Sequence, residues 1–388
     1  MSKKIPINYG RQSISDEDID SVIQVLKGDW LTQGPAIAEF EKSLASYCGA
    51  KYAIALSSGT AALHLSALAL KVGPGQEVIT SPITFAASSN AVIYAGGVPV
   101  FCDIEAESLI IDNGQVKTML ERSNIVSGLI PVHMGGALPD LEGLSAIARE
   151  KGLWIIEDAC HSIGGTWQDS LGVWHKVGDC SHSDITVFSF HPVKHITTGE
   201  GGAILTNDKN LFEQIMELRT HGITKDPSKM LENHGGWYYE MQQLGYNYRI
   251  TDIQAALGQS QLARSDEWVG RRLELVRAYD EAFVDCSDVI HQEHTKENRL
   301  SYHLYIIRVQ NRKDLYEHLR SLQIYTQVHY IPVPLQPYYR EKFGYEGGEF
   351  PVAEKYYEEA LSLPLFPSLT DSEQNYVISS VLEFYESK

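Results

Sequence analysis

Between residues 52 and about 208 the chain alternates short apolar runs with stretches of helical composition, and no other feature limits its fold as strongly. Residues 52–56, 77–80, 98–102, 126–132 and 154–157 read as strands, and residues 61–70, 86–94 and 141–151 as the helices between them. Residues 184–190 and 202–206 add two more strands, joined by a polar loop. A strand–helix alternation of this length folds as a mostly parallel sheet with helices on both faces. In such sheets ligands collect beyond the C-terminal ends of the strands. The residues that follow each strand are therefore the candidates for function.

The flanks differ in character. Ser15 opens a helix over 15–26 whose Ile19, Val22, Ile23 and Leu26 share one face, with Gly28 as its stop, and a second helix is expected over 37–47. After residue 250 a long helical stretch runs from 251 toward 283. Strand-like 304–309, helix 313–322, strand-like 326–330 and helices near 352–361 and 372–383 then suggest a smaller α+β domain. A chain of 388 residues has room for this division, with residues 1–250 as the large domain and 251–388 as linking helix and small C-terminal domain.

A formal net charge of −18, with no basic block, opposes a long polyanion, so no nucleic acid partner is expected. A small phosphorylated ligand needs only a local array of N–H donors. Five scattered cysteines without C-x-x-C spacing suit free thiols in a reducing compartment. MSKKIPINYG lacks the apolar core of a signal peptide, and no apolar run reaches membrane-spanning length. The expectation is a cytoplasmic protein with no membrane association.

Four strand ends carry chemistry. The loop 191–201 holds Lys194 among His191, His195, Thr197, Thr198 and Glu200; taken alone, such a lysine is most simply a solvated one. Ser57-Ser58-Gly59-Thr60 leads from the first strand into a helix, whose open N–H groups and dipole can hold a phosphate, although an ordinary N-cap explains the same residues. Phe85, in the turn after the second strand, is either core or a platform for a flat ring. Asp158, at the end of another strand, either caps the next turn or answers a positive partner. Considered together, a lysine, a carboxylate, an aromatic and a phosphate-binding helix start match pyridoxal 5′-phosphate. Lys194 would form the Schiff base, Asp158 would pair with the pyridine nitrogen, Phe85 would stack, and Gly59, Thr60 and Ser189 would hold the phosphate.

The blocks SSGTAALHL, SPITFAASSNA, EDACHSIGG, FSFHPVKHITTGEGGAI and LGYNYRITDIQAALG resemble those of the DegT/DnrJ/EryC1/StrS family of sugar aminotransferases, over nearly the whole chain. The resemblance implies the fold type I of PLP-dependent transferases, the aspartate-aminotransferase-like α/β fold. It implies that Lys194 and Asp158 are catalytic, that Thr60, Ala61 and Ser189 contact the phosphate, and that His161 lies near the ring's phenolic oxygen or Asp158. It further implies that Asn247 reaches the cofactor of a second subunit, making a homodimer with shared active sites. Gln33, Arg249 and His329 would lie near a nucleotide sugar. His195 departs from the family pattern, which has proline after the lysine.

Within the family, FSFHPVK, LGYNYR and QVHYIP are most similar to the branch that serves pseudaminic acid biosynthesis. The implied reaction moves an amino group from L-glutamate, which leaves as 2-oxoglutarate, to C4 of a UDP-linked 4-keto-6-deoxy-HexNAc. Relatives that dehydrate carry histidine in place of the lysine, so Lys194 favours transamination. Other acceptors stay open, of GDP-perosamine, UDP-arabinose or dTDP-sugar type, as does a non-enzymatic regulator with the same fold. A metal-dependent hydrolase is the reading from another class, because His133, His161, His175, His182, His191 and His195 crowd one third of the chain and His191 and His195 have i, i+4 spacing.

Overall fold

The apolar runs of residues 52–206 do form strands, and all seven join one sheet. They are β1 (Tyr52–Leu56), β2 (Glu77–Thr80), β3 (Val98–Phe101), β4 (Val126–Ile130), β5 (Trp154–Asp158), β6 (Ile185–Ser189) and β7 (Gly202–Thr206). The computed structural model describes residues 6–292 and 299–386; residues 1–5, part of the segment read for a leader, lie outside it. The strand order is β1-β7-β6-β5-β4-β2-β3. Only β7 runs against its neighbours, being antiparallel to β1 and β6, while the other pairs are parallel. The mostly parallel sheet expected from the alternation is thus present.

Alternate side chains enter opposite layers, as a pleated strand requires. Ile54, Leu56, Ile156, Val187 and Ile204 pack with Leu63, Leu65, Ala91 and Val92 from the helices Gly59–Ala69 and Ala87–Tyr94. Ala53, Ala55, Phe188, Ala203 and Leu205 pack on the other face with Ile37, Phe40 and Leu44 of the helix Pro35–Cys48. The small alanines of β1 on that face leave room for the Phe40 and Phe190 rings, which meet edge-on at 5.4 Å.

A second core is built from the C-terminal half. Strands Ile290–His291, Tyr305–Arg308 and Ala360–Leu363 form a three-stranded sheet, and Tyr279, Phe283, Leu315 and Val377 pack with it from three helices. Ile7 belongs to this same core, because Ile7–Asn8 pairs in parallel with Ile324–Tyr325.

Three expectations for this half need correction. The helical stretch from 251 is two helices, Asp252–Ala263 and Ser265–Phe283, which meet at Arg264. There the backbone leaves helical geometry (φ −108°, ψ 8°), and the guanidinium is drawn to the buried Asp18 of the first helix. The helix near 352–361 stops at Glu359, and the four buried residues Ala360–Leu363 continue as a strand against Tyr305–Arg308. The strand-like run 326–330 is mostly irregular: pairing ends at Tyr325 apart from a bridge between Gln327 and Ser362. Among the described residues no helix is long and apolar enough to cross a membrane, and all five cysteines are free.

Candidate active site

The turns after β1, β2, β5 and β6 converge at the C-terminal edge of the sheet, where His303, His329 and Tyr330 from the C-terminal half join them. Gly59, Thr60, Phe85, Asp158, His161, Ser189, Lys194 and His329 line one cavity of about 460 Å³. That volume is in the range that encloses a cofactor-sized ligand.

One corner of the cavity is a helix start. Ser58 Oγ accepts from the Ala61 N–H at 3.0 Å, and the Ser58 carbonyl accepts from the Ala62 N–H. The Gly59 and Thr60 N–H groups precede the first intrahelical bond and have no hydrogen-bond acceptor among the described residues, at the positive end of the dipole where both residues border the cavity. The backbone is crowded here. A Cβ on Gly202 would stand 2.5 Å from Gly59 N, and one on Gly59 would stand 3.0 Å from Ser189 Cβ. Glycine at 59 and 202 lets β6, β7 and the helix start close into a cradle with two open donors and the Thr60 and Ser189 hydroxyls. That donor set fits a phosphate.

Asp158 is the last residue of β5 and is buried. Its Oδ2 accepts from Ser88 Oγ at 2.5 Å and its Oδ1 from the Cys160 N–H at 3.3 Å. Both oxygens accept hydrogen bonds, and the residue borders the cavity, where it can pair with a positively charged partner. Lys194 faces the same space. Among the described residues its Nζ makes neither hydrogen bond nor ion pair, and burial lowers its pKa below the ordinary lysine value, against the opposing pull of Cys160 and Asp158. A lysine amine so placed spends more of its time neutral and nucleophilic. Phe85 is 63% exposed although it is a large aromatic at the cavity rim, so it is no core residue, and its open face suits stacking on a flat ring.

His161, His303 and His329 border this space and His195 packs behind it, and burial disfavours the charged form of all four. Burial, with the Lys194 charge adding to it, holds His161 and His303 well below the usual imidazole range and takes His329 down to about 3. Burial, with the Arg272 charge next, does the same for His195. His195 is turned away, with Nε2 donating to the Ser301 carbonyl at 2.8 Å.

Other residues singled out in the sequence lie elsewhere. Ala61 does not border the cavity, and its N–H is taken by the Ser58 cap. Gln33 is exposed, with a left-handed φ of 56°, next to the bridge that joins Thr32 to Thr251. Asn247 is exposed and bridges to Thr220, and Arg249 bridges to Leu56 at the end of β1. None of these three lines the cavity of its own chain. The histidines weighed as a metal set do not converge. His133 bonds Ser162 and Glu157 within the core, while His175 lies between Asp169 and Asp179 at the hairpin Thr166–Gln168/Trp174–Lys176, with His182 edge-on to it. The segment 191–195 is a turn, so the i, i+4 spacing does not put two rings on one helix face.

Sequence reasoning passed over Ser88, Tyr330 and His303. Ser88 sits one helical turn after Phe85, and its bond to Asp158 spans 70 residues; only the excess of small residues in 86–94 hinted at a close approach. Tyr330 and His303 arrive from the C-terminal half of the chain, and Tyr330 lay inside the QVHYIP block from which only His329 was taken.

Comparisons with known proteins agree with this geometry. The spore coat polysaccharide biosynthesis protein SpsC of Bacillus subtilis (strain 168) is 39% identical over 380 residues, covering 96% of this chain and 95% of its own. The UDP-4-amino-4,6-dideoxy-N-acetyl-β-L-altrosamine transaminase of Campylobacter jejuni subsp. jejuni serotype O:23/36 (strain 81-176) is 34% identical over 388 residues, covering 98% of each chain. The protein Spr1654 from Streptococcus pneumoniae, solved in its PLP-form, matches with a TM-score of 0.90 at 30% identity, over 99% of each chain. Residues 12–382 match the model of the DegT/DnrJ/EryC1/StrS aminotransferase family. The resemblance read from the sequence blocks and the fold type I architecture are both borne out, and the chain belongs to the DegT/DnrJ/EryC1/StrS aminotransferase family as a pyridoxal-phosphate-dependent sugar aminotransferase.

Proposed function

We propose that the enzyme transfers an amino group from L-glutamate to C4 of a UDP-linked 4-keto-6-deoxy-HexNAc, in pseudaminic acid biosynthesis. The observation that carries the site is the half-buried Lys194 amine, unpaired among the described residues, bordering a cavity with Asp158 at one wall and a helix start at another. The UDP-linked acceptor is supported by the 34% identity to the altrosamine transaminase over 98% of the chain.

Pyridoxal phosphate, when bound, supplies an aldehyde for amines and a ring that takes up the electrons of a deprotonated carbon. Lys194 Nζ would hold this group through its amine and, when free, would serve as the base that moves a proton. Its lowered pKa lets it accept a proton and return it at the other end of the transfer. Asp158, fixed by Ser88 and the Cys160 N–H, keeps a proton on the pyridine nitrogen. Gly59, Thr60 and Ser189 would orient the phosphate, and Phe85 at the rim would stack on the ring. Asn247, exposed and not lining the cavity of its own chain, completes the phosphate site of a second subunit in a homodimer. Gln33, Arg249 and His329 then serve the nucleotide sugar.

The test is transfer of label. With ¹⁵N-glutamate and a panel of UDP-, GDP- and dTDP-linked 4-keto sugars, NMR is expected to find ¹⁵N on C4 of the UDP-linked HexNAc. Faster labelling of a GDP- or dTDP-linked sugar overturns the substrate, and no labelling of any member overturns the reaction.

A further inference from the structure

His161 has two ring nitrogens, and its neighbours decide which one carries hydrogen. The Gly135 N–H points at Nδ1 at 3.4 Å. A backbone N–H can only donate, so Nδ1 is the acceptor and the neutral ring carries its hydrogen on Nε2. The neutral ring is the stable one, because burial and the nearby Lys194 charge oppose the imidazolium. Nε2 lies 3.3 Å from the Tyr330 hydroxyl. The single His161 N–H is therefore spent on the Tyr330 oxygen, and the phenol's own hydrogen is left over. Burial holds the Tyr330 hydroxyl well above the ordinary phenol range, so that hydrogen stays in place through the working pH range. Tyr330 borders the cavity, with its ring 6.2 Å from the Phe85 ring at the rim and nearly parallel to His161 at 6.3 Å.

We propose that Tyr330, not His161, is the hydrogen-bond donor to an acceptor oxygen of the bound ligand, with the Gly135 N–H and His161 aligned behind it to fix the direction of its O–H. The relay is polarised one way: Gly135 N–H to Nδ1, Nε2–H to Oη, Oη–H into the cavity. Two oxygens offer the same chemistry there, the phenolic oxygen of the cofactor ring and the carbonyl oxygen of the keto sugar. The inference rests on the aminotransferase reading, so the wild-type enzyme must first turn over in the same assay; if it does not, that reading fails before this one is reached.

The experiment uses the holoenzyme with Tyr330→Phe, which keeps the ring and removes the hydroxyl. The visible absorbance of the resting enzyme and the two half-reactions, with glutamate and with the keto sugar, are measured separately by stopped flow. If the acceptor is the ring oxygen, the resting absorbance shifts before any substrate is added. If it is the sugar oxygen, the resting absorbance and the glutamate half-reaction match wild type, and the sugar half-reaction slows by about tenfold, the loss of one buried hydrogen bond. Either result supports the assignment. Wild-type behaviour in all three readouts overturns it, as does equal slowing of both half-reactions with an unshifted resting absorbance. If the phenylalanine variant does not fold, Tyr330→3-fluorotyrosine keeps shape and hydroxyl while strengthening the donor. The same two supporting signatures are then expected with altered magnitude, and three wild-type readouts again overturn the proposal.

Discussion

Gly202→Ala is the most informative single substitution in the cradle. The added methyl would stand 2.5 Å from Gly59 N and Ser58 C and 2.6 Å from Ser58 O, all backbone atoms that no rotamer change can move. Ordinary contact begins at 3.4 Å, so β7 and the helix start must part by about 0.9 Å, unless β7 loses register with Leu56 and Ser189. Forced overpacking of this kind costs about 1–3 kcal/mol. Because the displaced atoms carry the two open donors, most of that cost falls on phosphate binding. Cofactor affinity should drop by about 5- to 150-fold, the same energy written as an equilibrium. Titrating the apoenzyme with pyridoxal phosphate, followed by absorbance, measures the loss. Titration with pyridoxal, which has no phosphate, should show little difference between variant and wild type. Equal affinity of both proteins for the phosphorylated cofactor would refute the cradle, as would an equal loss for pyridoxal.

Three further outcomes follow from the same geometry. Phe85→Ala should leave apoenzyme stability within about 0.5 kcal/mol of wild type, since a ring 63% exposed holds little core together, while cofactor affinity falls by about two- to tenfold with the lost stacking; unfolding weakened by the 3–5 kcal/mol of a core phenylalanine would contradict this. Asp158→Asn should retain bound cofactor and lose turnover by about 10²-fold or more, measured as the rate of 2-oxoglutarate release, and near-normal turnover would remove the carboxylate from the chemistry. For His329 the imidazole falls to about 3 in the fold against an ordinary value of 6.5, so the unfolded chain binds more protons between these limits and stability is lost as pH falls from 6.5 toward 3, by up to about 1.4 kcal/mol per pH unit. Urea unfolding across that range should be less steep in pH for His329→Gln than for wild type.

How much could be read in advance depended on the range of the interaction. The strands of the large sheet and the turns at Ser58 and Asp158 were legible because each is local: an apolar run, then a polar turn, then a helical composition. The break at Arg264 was not, since what draws its guanidinium is Asp18, 246 residues away. Ala360 and Leu361 read as the end of a helix because a short apolar run carries no period that separates strand from helix, whereas with Ser362 and Leu363 they form a fully buried strand. The site divides along the same line. Lys194, Phe85 and Asp158 stand at strand ends that the alternation itself identifies, whereas Ser88 and Tyr330 matter through single contacts with Asp158 and His161 that no spacing announces. Ala61 is a phosphate contact by the family resemblance, but its N–H belongs to the cap, and only the hydrogen-bond geometry separates it from Gly59 and Thr60.

The account turns on one amine. Reducing the holoenzyme with borohydride, digesting it and locating the bound cofactor by mass spectrometry tests that amine directly. The cofactor mass is expected on the peptide that contains Lys194, and on no peptide of Lys194→Ala treated the same way. A reduced adduct on another lysine, or a fully active enzyme with no adduct at Lys194, would contradict the assignment on which the rest depends.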